Sequence, residues 1–91
     1  MRIAWTPSAA ADLEQISDYL FERSHEAATI VVRRIYEAAS ILKQFPSSGR
    51  PGRKEGTREL VVTGLPYLVV YDVDGQTIRV LRILHGARRW P

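Results

Sequence analysis

Between Ala9 and Leu20 apolar residues recur every three or four positions: Ala9, Leu13, Ile16 and Leu20 form one stripe, with Asp12, Glu14 and Asp18 read on other faces. This spacing predicts an amphipathic helix over about residues 7–22. Thr6-Pro7 marks its start, because threonine caps free amide groups and proline at the first helical position gives up a hydrogen bond the helix cannot make there. A second stripe, Val31, Ile35, Ala38 and Leu42, widened by Ile41 and Phe45, predicts a helix that opens near His25 behind a Ser24 cap and stops at Pro46. The link between them is short, so the two helices should form an antiparallel hairpin.

After residue 57 the period changes. Arg58 to Thr63, Tyr67 to Val73 and Thr77 to His85 read as strands, joined by Gly64-Leu65-Pro66 and by Asp74-Gly75, a hairpin turn whose residues tolerate positive φ. Arg2-Ile3-Ala4-Trp5 reads as a short opening strand, and the Pro- and Gly-rich residues 46–57 as a loop. The order β-α-α-β-β-β predicts an α+β domain: a helical hairpin packed on one face of a mostly antiparallel, twisted, four-stranded sheet. Strict alternation along the last strand puts Ile78, Val80, Arg82 and Leu84 on one face, and Arg79, Leu81, Ile83 and His85 on the other. Tyr67 and Tyr71 read as sheet packing rather than as base-stacking platforms.

Composition narrows the classes. Ninety-one residues suffice for one domain, 1–91. There is no cysteine, which excludes disulfides and thiolate metal sites, and His25 and His85 are far apart, so no metal and no cofactor are expected. Met1 to Trp5 runs into Thr6-Pro7 without an apolar leader, and no apolar run approaches a membrane span, so a cytoplasmic protein is expected.

The net charge of +3 is unevenly spread. Residues 1–48 carry Arg2, Arg23, Arg33, Arg34 and Lys43 against Asp12, Glu14, Asp18, Glu22, Glu26 and Glu37. Residues 49–91 carry Arg50, Arg53, Lys54, Arg58, Arg79, Arg82, Arg88 and Arg89 against only Glu55, Glu59, Asp72 and Asp74. The basic half points to a polyanionic or acidic partner, since charge bias governs association rather than fold.

Two basic clusters carry that charge. Arg50, Arg53, Lys54 and Arg58 lie in or beside the Gly/Pro loop, where they are either solvated or a docking patch. Arg82, His85, Arg88 and Arg89 precede Trp90 at the C-terminus. Arg82 is either paired with Glu59 across the sheet or a cation for a phosphate. His85 is either a strand-end residue bonded to backbone or a general acid or base. Cleaving RNA through its own 2′-hydroxyl needs a base, an acid and cations around the phosphorane. Arg58, Arg82, His85 and Arg88, with Glu55 or Glu59, supply those residue types. Trp5 and Trp90 either pack together, or Trp90 anchors a partner. Tyr19, Phe21 and Tyr36 give the helices more aromatic surface than a two-helix layer needs. They are either helical core or the seat of a further apolar element.

Together these segments resemble the RelE/ParE superfamily of bacterial type II toxin–antitoxin toxins, in its plasmid-stabilisation branch. The resemblance rests on Trp5-Thr6-Pro7 with Asp12-Leu13, on Phe45-Pro46-Ser47-Ser48-Gly49-Arg50-Pro51-Gly52 and on Gly56-Thr57-Arg58-Glu59-Leu60. It continues through Pro66-Tyr67, Val69-Val70-Tyr71 and the run from Leu81 to Pro91. It implies a β-α-α-β-β-β fold, a bacterial or archaeal source and a cognate antitoxin, for which Tyr19, Phe21 and Tyr36 are the candidate contacts. RelE-like members cut mRNA in the ribosomal A site, whereas ParE-like members inhibit DNA gyrase and are not nucleases. RelE-like toxins usually read Tyr-Arg-Leu/Ile-Val-Tyr where this chain has Tyr67-Leu68-Val69-Val70-Tyr71, with leucine at the arginine position. The sequence ends at Trp90-Pro91, so a catalytic tyrosine or histidine that some nucleases place further on is expected to have no counterpart. The ParE-like expectation is a gyrase inhibitor, not an enzyme, contacting its target through Arg50, Arg53, Lys54, Arg88, Arg89 and Trp90. The alternative is a ribosome-dependent endoribonuclease using Arg58, Arg82, His85 and Arg88.

Overall fold

The computed structural model describes residues 1–86. Strand β1 (Arg2–Trp5) leads into helices α1 (Pro7–Phe21) and α2 (His25–Ile41). Four strands follow: β2 (Arg50–Pro51), β3 (Arg58–Val61), β4 (Tyr67–Asp74) and β5 (Thr77–His85). They form one sheet in the order β1-β5-β4-β3-β2, antiparallel throughout except for the parallel pair β1 and β5. The sheet therefore has five strands rather than four. The additional strand, β2, pairs Arg50 with Glu59 and Pro51 with Arg58 inside the expected loop. Two residues between Gly49 and Gly52 leave no periodicity to read, and proline is compatible with such an edge position.

Both helix starts follow from their caps. The Thr6 hydroxyl accepts from the Ala9 amide and the Ser24 hydroxyl from the Ala27 amide, each satisfying an orphan donor of the first turn. Thr6 also donates its hydroxyl to the Leu81 carbonyl, while its amide bonds to the Val80 carbonyl. The cap thus fastens α1 to the middle of β5. Helix α2 ends at Ile41 instead of reaching Pro46, and Ile41 and Phe45, expected to widen its apolar stripe, are both more than half exposed.

The core lies between the hairpin and one face of the sheet. Ala9, Leu13, Ile35, Ala39 and Leu42 meet Val62, Val69, Tyr71, Ile78, Val80 and Ile83. Ile35 and Leu42 are fully buried, so Ile35→Ala or Leu42→Ala is expected to cost about 2–5 kcal/mol in denaturant unfolding.

One irregularity reorganises the last strand. Tyr71 pairs with Val80 but Val70 pairs with Arg82, so Leu81 is an extra residue, a β-bulge in β5. Beyond it the alternation is inverted relative to the strict period-two reading. Ile83, opposite Val69, joins Ile78 and Val80 against the helices, while Arg82 and Leu84 turn to the outer face. Cross-strand partners share a face, so that outer face carries Arg50, Glu59, Val61, Leu68, Val70, Asp72, Arg79, Arg82 and Leu84. No helix among the described residues is long and apolar enough to cross a membrane.

Candidate functional site

The outer sheet face, rimmed by the 50–57 loop, carries Arg50, Arg79 and Arg82. Its arginines are held by carboxylates. The Arg82 guanidinium grips Asp12 of α1 with two bonds, Nε to Oδ2 at 2.6 Å and Nη2 to Oδ1 at 2.9 Å. The same carboxylate accepts the buried Ile83 amide at 3.0 Å. This hydrogen bonding raises the Arg82 pKa above its already high ordinary value, so its charge is permanent. The alternative partner, Glu59, is instead taken by Arg50 at 3.3 Å and by the Arg53 amide at 3.3 Å. Glu59 is buried and so pins the start of the basic loop onto the sheet. Arg79 makes a third, more exposed pair with Asp72, its cross-strand neighbour, through Nε at 2.8 Å; the bonded carboxylate raises the Arg79 pKa as well.

Asp12, read from the sequence on a face other than the apolar stripe of α1, is buried. At three residues from Ala9 and four from Ile16 it lies on the apolar stripe, and a carboxylate there requires a cation. That position in the period is the signal that marks it.

The other candidates are dispersed. Arg58 donates Nη1 to the Gly49 carbonyl at 2.8 Å and to the Ser47 carbonyl at 3.4 Å, clasping the turn before β2. His85 closes β5 edge-on to Tyr67, with ring centroids 5.8 Å apart at 82°. The two rings line a cleft of about 430 Å³ with Asp12, Gln15, Ile16, Tyr19 and Ile83. Burial in this cleft, with a smaller effect from Tyr19, raises the Tyr67 pKa above 10. The folded state therefore favours the protonated phenol, and its contribution to stability is full below about pH 10 and is lost as pH rises through the higher folded value. Ultraviolet titration should show a late-ionising tyrosine that disappears in Tyr67→Phe. Arg82 opens onto a different cleft, with Lys54, Thr57, Arg79, Thr6 and Ser8. His85, Arg82 and Arg58 thus do not converge on one cavity. Arg88, Arg89 and Trp90 lie outside the described residues.

Tyr71, read from sequence as sheet packing, is fully buried, and its hydroxyl donates to the Pro46 carbonyl at 2.8 Å and accepts from the Gly49 amide at 2.9 Å. The three aromatics expected to meet an antitoxin are all at least half exposed. Tyr19 carries the Arg23 guanidinium 3.8 Å above its ring, and Phe21 stacks on His25 at 3.8 Å. Tyr36 lies 5.0 Å from Trp5, in a groove with Leu13, Glu14 and Val32. Tyr19 and Tyr36 therefore serve two separate grooves.

This architecture recurs in known proteins. The chain is 39% identical to the protein Y4kP of Sinorhizobium fredii over 90 residues, 99% of this chain and 93% of that one. It is 38% identical to toxin RelE2 of Caulobacter vibrioides over 87 residues, 96% and 97% of the two chains. A solved chain from the chromosomal ParDE toxin–antitoxin system of P. aeruginosa superposes with a TM-score of 0.85 at 35% identity, covering 93% of this chain and 95% of that one. The family model described as the ParE toxin of the type II toxin–antitoxin system parDE matches residues 3–90, and the chain belongs to that family.

Proposed function

We propose that this toxin arrests growth by inhibiting DNA gyrase and is held inactive by a cognate antitoxin. The observation that carries the reading is the absence of an assembled general acid–base centre among the described candidates. Arg82 is engaged by Asp12, Arg58 clasps backbone carbonyls, and His85 faces a separate cleft beside Tyr67. Leu68, at the position where the nucleases keep an arginine, pairs with Val61 and Leu84 and makes the outer face apolar there. Losing one fixed donor around a developing charge costs about two to three orders of magnitude in rate. The exposed Arg53 and Lys54, with Arg50, Arg88, Arg89 and Trp90, are the proposed contacts to the target.

Two assays run in parallel test this. Purified toxin should block gyrase-catalysed supercoiling and leave mRNA 5′ ends unchanged in a translating extract, and His85→Ala should remain toxic. Codon-phased cuts that disappear with His85→Ala, with supercoiling intact, would establish the ribosome-dependent nuclease instead. The double variant Arg53→Ala/Lys54→Ala should change stability by no more than about 0.5 kcal/mol, as expected of exposed side chains, while relieving growth arrest.

A further inference from the structure

The basic loop is more ordered than its composition suggests. Beyond the pairing of β2 with β3 the Gly52 amide bonds to the Thr57 carbonyl at 2.8 Å, which leaves the four residues Arg53-Lys54-Glu55-Gly56 as the tip of a hairpin. Inside the tip the Thr57 amide bonds back to the Lys54 carbonyl at 3.1 Å, a turn in which Gly56 takes a φ of +83°. Two buried polar side chains add bonds that the turn does not supply. The Thr57 hydroxyl donates to the same Lys54 carbonyl. The Glu59 carboxylate, paired with Arg50, also accepts the Arg53 amide at 3.3 Å. Thr57 and Glu59 stand outside the apolar core cluster, and the bonds that satisfy them run to residues 50–54. A buried hydroxyl and a buried carboxylate are costly without such partners, so the local bonds and the burial require each other. A cleft of about 390 Å³ separates the tip from Thr6, Ser8, Arg79 and Leu81, which leaves hydrogen bonds rather than packing to fix its shape.

We propose that Thr57 and Glu59 are positioning residues for the toxin's target contact, holding the Arg53–Gly56 tip in its binding shape before the target arrives. Arg53 and Lys54, both exposed, then reach an acidic surface together. A loop ordered in advance does not lose backbone freedom at the moment of binding. Cations at a fixed separation also discriminate between acidic surfaces, which cations on a mobile loop do less well. The same bonds account for a buried carboxylate inside a basic segment. Glu59 is spent on Arg50 and on the backbone of the loop, so it shapes the tip while the Arg53 side chain points outward. The inference rests on the reading of Arg53 and Lys54 as target contacts, but not on which target they meet.

The test titrates toxin level against growth arrest in cells, and measures amide exchange and melting temperature on the purified full chain. In the wild type the Arg53 and Thr57 amides should exchange about a hundredfold more slowly than in an unstructured peptide. Thr57→Val keeps the side-chain shape and removes the hydroxyl. It should need about tenfold more toxin for half-maximal arrest, reach the same arrest at saturation, and melt within a few degrees of the wild type. Thr57→Ser restores the hydroxyl and should recover most of the loss. Glu59→Gln should raise the Arg53 exchange rate and the half-maximal level together. Wild-type potency in Thr57→Val, alongside a loss in Arg53→Ala/Lys54→Ala, overturns the positioning role and leaves the contact reading standing. Fast exchange at Arg53 and Thr57 in the wild type overturns it without any variant, because the tip is then not preformed. A loss that follows a lowered melting temperature, or that Thr57→Ser does not recover, marks a purely structural role and overturns it too. Full potency in Arg53→Ala/Lys54→Ala removes the contact reading and the positioning role with it.

Discussion

Asp12→Ala should destabilise the toxin by roughly 3–5 kcal/mol, the largest effect expected of any single polar substitution in it. The carboxylate accepts three hydrogen bonds, two from Arg82 and one from the Ile83 amide, in a position 8% exposed. Removing it strands a buried backbone donor and leaves the guanidinium without its partner, and each loss carries a desolvation penalty. Asp12→Asn keeps an acceptor for the Ile83 amide and should recover part of the loss. Arg82→Met should cost less than Asp12→Ala, because Arg82 remains about one-third exposed and water can replace it in part. The double variant should cost little more than Asp12→Ala alone, since the two side chains act on the same bonds. Urea unfolding of the four proteins checks the cycle. Additive losses would show that Arg82 stabilises the fold through contacts other than the Asp12 carboxylate. The cycle also bears on function, because loss of toxicity in Arg82→Ala would otherwise be misread as loss of a catalytic cation.

Gly49→Ala should cost roughly 3 kcal/mol and loosen the basic loop. A Cβ at this position would lie 2.7 Å from Cε1 and from the hydroxyl of Tyr71, and 3.0 Å from the Glu59 carbonyl oxygen. The ring cannot retreat, because Tyr71 is fully buried and its hydroxyl bridges the Pro46 carbonyl and the Gly49 amide. Overpacking of this kind costs about 1–3 kcal/mol, and a broken buried hydrogen bond adds about 1–3 kcal/mol. The expected readout is a lower urea midpoint, with faster exchange of the Gly52 amide, which bonds to the Thr57 carbonyl across the base of the loop. Tyr71→Phe is the control: it removes the bridge but not the wall, so it should cost about 1–2 kcal/mol. Equal effects of the two substitutions would mean that the hydrogen bonds, not the contact with the ring, set the requirement for glycine.

Function was less legible in the sequence than fold. Residue types suitable for phosphate chemistry were visible in Arg58, Arg82 and His85, yet type says nothing about direction. Each of the three is oriented by a group distant in sequence: Asp12 for Arg82, the Gly49 carbonyl for Arg58, and Tyr67 for His85. The position of Asp12 within an apolar stripe was the one local sign that a cation had to come to it.

Local rules were enough to define α1 and α2, their Thr6 and Ser24 caps, the Asp74-Gly75 turn and the three long strands. Capping, periodicity and turn conformation depend on residues within a few positions of one another, so they survive without knowledge of the rest of the chain. Strand β2 and the face of Arg82 needed the assembled molecule. The pairing of Arg50 with Glu59 exists only once the loop lies on the sheet. At the Leu81 bulge the Thr6 hydroxyl takes the Leu81 carbonyl and Asp12 takes the next buried amide, so β5 is bent by contacts from a helix some seventy residues earlier. A single extra residue in a strand reverses every side chain beyond it, and nothing in the alternation of Ile78 to Leu84 records where that residue falls.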